Sequence, residues 1–204
     1  MKIWIKIITL CSGLFVGFNF GLHNLVSAEE WQTRTYCDDT NVEKFDFTDP
    51  RGNTFTYNCK DFQSTLEFVS KSGNNKNFGI FLSQGAALTQ TIQGLAATYG
   101  IEEVLTFVKF EVLKAMAKYG YYWDHNLAIV HLRYFSQEEL HSILNLKSES
   151  PYFSDYLAKQ DELGALMKEI SEPILTNALY EVVFNTFEHT SVLPPLDPHS
   201  KKPI

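Results

Sequence analysis

FGIFLSQGAALTQTIQGLAATYGI, residues 78–101, holds no charged side chain, and its reading decides between a membrane protein and a helical bundle. Crossing a bilayer takes about 20 predominantly apolar residues. Here Gln84, Gln90 and Gln93, with Thr89, Thr91 and Thr98, would have to leave water without a partner. Each such amide or hydroxyl costs roughly 2–7 kcal/mol in hydrocarbon. The segment therefore reads as a buried helix, with Gly85, Ala86, Ala87 and Gly94 letting a neighbour approach closely. The sharper rival is a self-associating or membrane-surface helix.

Helical periodicity extends outward on both sides, from Ser64 almost to the carboxyl end. In residues 101–120, Ile101, Val104, Leu105, Val108, Val112, Ala115 and Met116 recur at the spacing of one helix face, which is a core stripe. Phe107, Phe110 and Leu113 fall outside that stripe, so this helix either lies between two layers or offers a contact surface to a partner. Asp124 is placed to cap a further helix that begins at His125. Later, Leu163, Leu166, Met167, Ile170 and Ile174 form another apolar stripe, and Pro173 is expected to kink or restart its helix.

FSQEEL, residues 135–140, sets Glu138 and Glu139 ahead of His141 and invites a catalytic reading. Helix initiation explains it better. Ser136 and Glu139 stand in the S-x-x-E relation of a capping box, and Phe135 and Leu140 at the spacing of a hydrophobic staple. Adjacent glutamates diverge by about 100° on a helix and cannot grip one substrate. Glu138 and His141 form one E-x-x-H, whereas a carboxylate-bridged metal site needs a second, and the chain has none. Ser150-Pro151 is again a cap followed by a first-turn proline.

These starts carry a resemblance. Phe135, Ser136, Glu138, Glu139, Leu140, Ser150, Pro151, Lys159, Glu162 and Leu163, within residues 134–163, resemble the bacterial exported family numbered 2059 among domains of unknown function. Where that family often has glycine after the Ser-Pro, this chain has Phe153 and Ser154. The resemblance implies an all-α exported protein of a family without an established activity.

The amino terminus points the same way. Residues 1–28 hold Lys2 and Lys6, then a long run without an acid, then Val26-Ser27-Ala28 before two glutamates. This is a secretory signal peptide cut after Ala28, with an uncleaved anchor as the alternative. Cys11 would leave with it. The remaining 176 residues would carry 15 basic and 24 acidic side chains, the chain's 17 bases less Lys2 and Lys6, for a charge of −9. Nucleic acid and anionic lipid are poor partners for such a surface.

Cys37 and Cys59, the pair left after cleavage, are expected to form a disulfide in an exported chain. Between them, Phe45 and Phe47, then Phe55 and Tyr57, alternate with polar residues on either side of Asp49-Pro50-Arg51-Gly52. This predicts a β-hairpin with one aromatic face, its base stapled by the disulfide.

No chemistry-bearing motif stands out. Ser83 sits in FLSQG, without the first glycine of a nucleophile elbow. His125, His131, His141, His189 and His199 lack metal-ligand spacing. Asp124-His125, beside Tyr121, Tyr122 and Trp123, is the most tempting dyad and reads more simply as a cap and its first-turn neighbour. The expected architecture is a mainly α bundle of five or six helices: signal peptide 1–28, disulfide-linked hairpin segment 29–62, helical domain 63–190 and Pro-rich tail 191–204. The expected function is a non-enzymatic module of the periplasm or secreted space, binding another protein or a small apolar ligand, without cofactor, metal or catalytic residue. Phe107, Phe110 and Leu113 form its candidate contact surface. The alternative is a hydrolase or metal enzyme assembled from dispersed His, Asp and Glu.

Overall fold

Phe45 lies opposite Tyr57 and Phe47 opposite Phe55 where β1 (Lys44–Thr48) and β2 (Thr54–Asn58) pair antiparallel. The period-2 alternation thus yields the expected hairpin with its four aromatics on one face. These details come from a computed structural model that describes Cys37 and residues 42–195. The signal-peptide reading of residues 1–28 lies outside them, as does the tail beyond Pro195. At the turn the Gly52 N–H donates to the Asp49 carbonyl (2.9 Å) with φ at +84°, a conformation natural to glycine. The Asp49 carboxylate accepts from the backbone N–H groups of Arg51 and Asn53 at 3.0 and 2.8 Å.

Cys59 opens α1 (Cys59–Ser72) and is bonded to Cys37, with their Cα atoms 5.3 Å apart. The disulfide therefore lies at the base of the hairpin, as its spacing predicted. Asn58 caps α1 by accepting the Lys60 N–H (2.8 Å), and Gly73 ends it in a left-handed conformation.

Residues 78–101 form two helices and not one: α2 (Asn77–Leu88) and α3 (Gln90–Tyr99). Thr89 makes the break. Its backbone is extended, and its hydroxyl donates to the Ala86 carbonyl (2.7 Å) and accepts the Ile92 N–H (3.3 Å). A threonine that satisfies backbone groups locally competes with continuing the helix. Gly85 and Ala86 are buried, but Gly94 and Ala87 are exposed, so the close approach expected at the latter two does not occur. It occurs instead at Gly79, where an added Cβ would stand 2.5 Å from the Met116 sulfur. Among the described residues no helix is long and apolar enough to cross a membrane.

Neither of two expected new helix starts occurs. α4 runs unbroken over the 34 residues Ile101–Tyr134, so Asp124 lies inside a helix and caps nothing. Its carboxylate accepts instead from the Asn75 side chain. α7 (Gln160–Thr190) continues through Pro173, which removes one backbone donor without ending the helix. Between them stand α5 (Gln137–Leu146) and the short α6 (Phe153–Ala158), making seven α-helices among the described residues. Ser150 acts slightly ahead of α6, its hydroxyl accepting the Tyr152 N–H (3.3 Å) in the turn that precedes the helix.

The helical residues divide between two compact units. One comprises the described residues up to Asn75 together with Trp123–Pro173, and the other Lys76–Tyr122 with the described residues from Ile174 onward. Phe47, Phe62, Phe68, Val69, Ile129, Leu140 and Leu163 are buried in the first. Phe78, Leu82, Val104, Val108, Tyr119, Leu179 and Val182 are buried in the second.

FSQEEL begins α5 as a complete capping box: Ser136 Oγ accepts the Glu139 N–H (3.3 Å), and Glu139 Oε2 accepts the Ser136 N–H (2.7 Å). Phe135 and Leu140 are both buried, as a staple requires. Ser136→Ala should therefore lower stability by about 0.5–2 kcal/mol in urea titration, the usual cost of a lost serine cap. An unchanged midpoint would show that the box contributes nothing.

Candidate functional site

Three elements of the hairpin unit enclose a cleft of about 300 Å³. The hairpin supplies Phe47, Phe55, Tyr57 and the turn residues Asp49, Arg51 and Asn53. The last turns of α4 add Ile129, Arg133 and Tyr134, and α7 adds Glu162, Ala165, Leu166 and Glu169. The spacing 162, 165, 166, 169 is one helix face, and 129, 133 is another. The cleft thus has two helical walls with the aromatic face of the sheet closing over them.

The charges in this cleft are unequally engaged. Arg51 holds Glu169 in a bidentate pair, Nε to Oε1 and the terminal nitrogen to Oε2, both at 2.9 Å, which ties the hairpin tip to α7. Glu162 accepts from Lys159 at 2.8 Å. Asp49 is occupied by its turn, and the hydrogen bond from the Asn53 side chain, with those from the turn's backbone, holds its carboxyl below the usual range. Arg133 is different. Its guanidinium lies 3.6 Å from the centroid of the Phe55 ring, a cation–π stack. Among the described residues no carboxylate comes within ion-pair distance of it and no acceptor takes its N–H groups. Half-buried Tyr57 shares the cleft, its phenol pushed up by burial against the pull of Arg133.

The histidines named from sequence are dispersed. His125 is buried with its ring 5.1 Å from Phe62. His131 is buried too; its Nδ1 lies 2.7 Å from the Leu127 carbonyl and must carry the proton, leaving Nε2 to accept from the Tyr156 hydroxyl (3.3 Å). His141 is exposed at a hollow of about 80 Å³ beside Glu67 and Lys71. Glu138 accepts from the Tyr152 hydroxyl (3.3 Å), so the E-x-x-H of FSQEEL is spent on separate contacts. Among the described residues no three His, Cys, Asp or Glu converge to hold a metal ion.

In the second unit Phe110 and Leu113 are 52% and 64% exposed, whereas Phe107 is half-buried and stacked on His189 with centroids 5.8 Å apart. Tyr180, Phe184 and Phe187 on α7 are exposed as well. Beneath Phe107 is a polar cluster that sequence reasoning missed. Glu111 is 1% exposed and receives Lys114 (2.9 Å), Asn185 (3.0 Å) and His189 Nε2 (3.2 Å). Burial would raise its carboxyl, but the bonds from Lys114 and Asn185 and the nearby charges outweigh it and hold the group low. A signal existed: Glu111 falls on the stripe of Val108 and Ala115, where a charge demands partners. Arg133 offered no comparable signal, because nothing local in the sequence predicts that it meets Phe55.

Comparison with protein-family models, with curated proteins and with solved structures gave no match to this chain.

Proposed function

We propose that the protein is an exported, non-enzymatic binding module that seats a small organic ligand in the cleft under its hairpin. The observation that carries this reading is Arg133, held over the Phe55 ring at a hollow of ligand size with its hydrogen-bond donors unspent among the described residues. A fixed guanidinium on an aromatic platform loses little freedom when it takes a ligand. Export is supported by the composition of residues 1–28 and by the Cys37–Cys59 bond, which suits an oxidising compartment. Membership of the exported family numbered 2059, suggested by the motifs of residues 134–163, agrees with that placement.

The dispersal of His125, His131 and His141, none of which lines the cleft, supports binding over catalysis. Fragment screening by protein NMR, with small aromatic and aliphatic compounds, should find ligands that shift signals from Phe55, Tyr57 and Arg133. Phe55→Ala should remove those shifts. A screen whose hits all fall outside the cleft would reject the site. A protein partner on Phe110 and Leu113 is the second reading, favoured by their exposure. Under it Phe110→Ser with Leu113→Ser abolishes the cellular phenotype while fragment binding at the cleft persists.

A further inference from the structure

The charge state of the cleft narrows its ligand further, if the cleft is indeed the binding site. Its acids are already committed: Glu169 to Arg51, Glu162 to Lys159, and Asp49 to the backbone and side chain of its own turn. A cationic ligand would have to compete with those partners. Arg133, by contrast, has a full fork of donors and no carboxylate within reach among the described residues. A guanidinium in this state matches a carboxylate, which it grips through two parallel bonds.

A doubly charged anion is disfavoured. The three acids lining the same small cleft would repel its second charge, and only one arginine is unspent. A carboxylate placed on Arg133 brings one negative charge to one positive charge, with Arg51 and Lys159 still screening the acids. The rest of the ligand meets Phe47, Phe55, Tyr57, Ile129 and Leu166, an aromatic sheet face opposed by two aliphatic side chains. That is a slot for a flat apolar body. A hollow of about 300 Å³ lies at the small end of ligand-sized clefts and suits a small molecule.

We propose that the cleft recognises a small aromatic monocarboxylate, its carboxylate on Arg133 and its ring between the hairpin aromatics and the α4 and α7 walls. Phenylacetate is a suitable probe. 2-Phenylethanol, 2-phenylethylamine and phenyl phosphate keep the ring and change the charge to zero, plus one and minus two.

Titration of the whole protein by NMR or calorimetry tests this. Phenylacetate should bind at least about tenfold more tightly than the alcohol, the equivalent of a single good charge-assisted contact. The amine and the phosphate should bind more weakly still. Arg133→Gln should bring phenylacetate down to the level of the alcohol measured on the same variant. Arg133→Lys, which keeps the charge and loses the fork, should fall between. Arg133 is exposed, so both variants should fold, and an unchanged melting temperature checks that they do. If the amine or the alcohol binds as well as phenylacetate, or Arg133→Gln leaves phenylacetate untouched, the proposed ligand class is wrong although the cleft still binds. If none of the four binds there while other fragments do, the class is likewise rejected. If nothing binds there, the binding-site reading falls with it.

Discussion

Asp124→Asn should expose a loss of about 3 kcal/mol of stability between pH 6.5 and pH 4 that the parent protein partly conceals. Burial pushes His131 down to about 4, against the favourable pull of the Leu127 carbonyl. In the unfolded chain the same ring titrates near 6.5. The unfolded state therefore binds a proton that the folded state refuses, and stability present above pH 6.5 is lost as the pH falls toward 4. Asp124 acts in the opposite sense. Burial pushes its carboxyl up to about 6 from an ordinary 3.8, with the Asn75 hydrogen bond opposing the rise. Between those values the folded state holds the extra proton, and stability falls as the pH rises.

At about 1.36 kcal/mol per pH unit, His131 contributes about 3 kcal/mol and Asp124 at most about 2, once its partial exposure to solvent is allowed for. The two slopes oppose each other over nearly the same window. With asparagine at 124 only the histidine slope remains, and the variant should exceed the parent in stability at pH 7 by about 1–2 kcal/mol. Urea unfolding at several pH values from 4 to 7 would measure this. Parallel curves for variant and parent would mean that Asp124 is not held protonated in the fold.

Breaking the Cys37–Cys59 bond should cost on the order of 3 kcal/mol, the loop-closure entropy of a bridge with a sequence separation of 22. For a chain of this size that is a melting point lower by about 6–12 °C. The consequence extends to the cleft. A two-stranded hairpin is marginal by itself. This one is held at its base by the disulfide, at its tip by Arg51 on Glu169 and through its middle by Phe45 on Phe62. Loosening the base should weaken ligand binding at Phe55 and Tyr57 as well as stability. Cys37→Ser with Cys59→Ser, followed by calorimetry and probe titration, tests both effects. Free thiols at both positions in the denatured, unreduced protein would dispose of the bond itself.

Much of this architecture was legible because its causes are local. Phe45, Phe47, Phe55 and Tyr57 alternate, and alternation is sufficient to place them on one face of a hairpin. Ser136 and Glu139 stand three residues apart, where each side chain reaches the other's backbone, so FSQEEL had one economical reading, and the structure has the box that reading requires. The errors came where a local preference met a longer-range competitor. Asp124 is an acceptable cap by residue type, yet nothing from 118 to 126 breaks the helix, and Asn75 takes its carboxylate from another element. Thr89 did the reverse, breaking a segment whose apolar pattern read as continuous.

The sequence by itself determined the helical class, the hairpin, the disulfide and the capped start of α5, since each follows from spacing along the chain. Tertiary structure alone decided which aromatics would be buried and which would line a cleft. It also set Arg133 on Phe55 across 78 positions of sequence, and gathered Asn185 and His189 around Glu111. Those contacts depend on how whole helices pack. The free energy of packing is summed over many side chains, so no short stretch of residues encodes the meeting of any one pair.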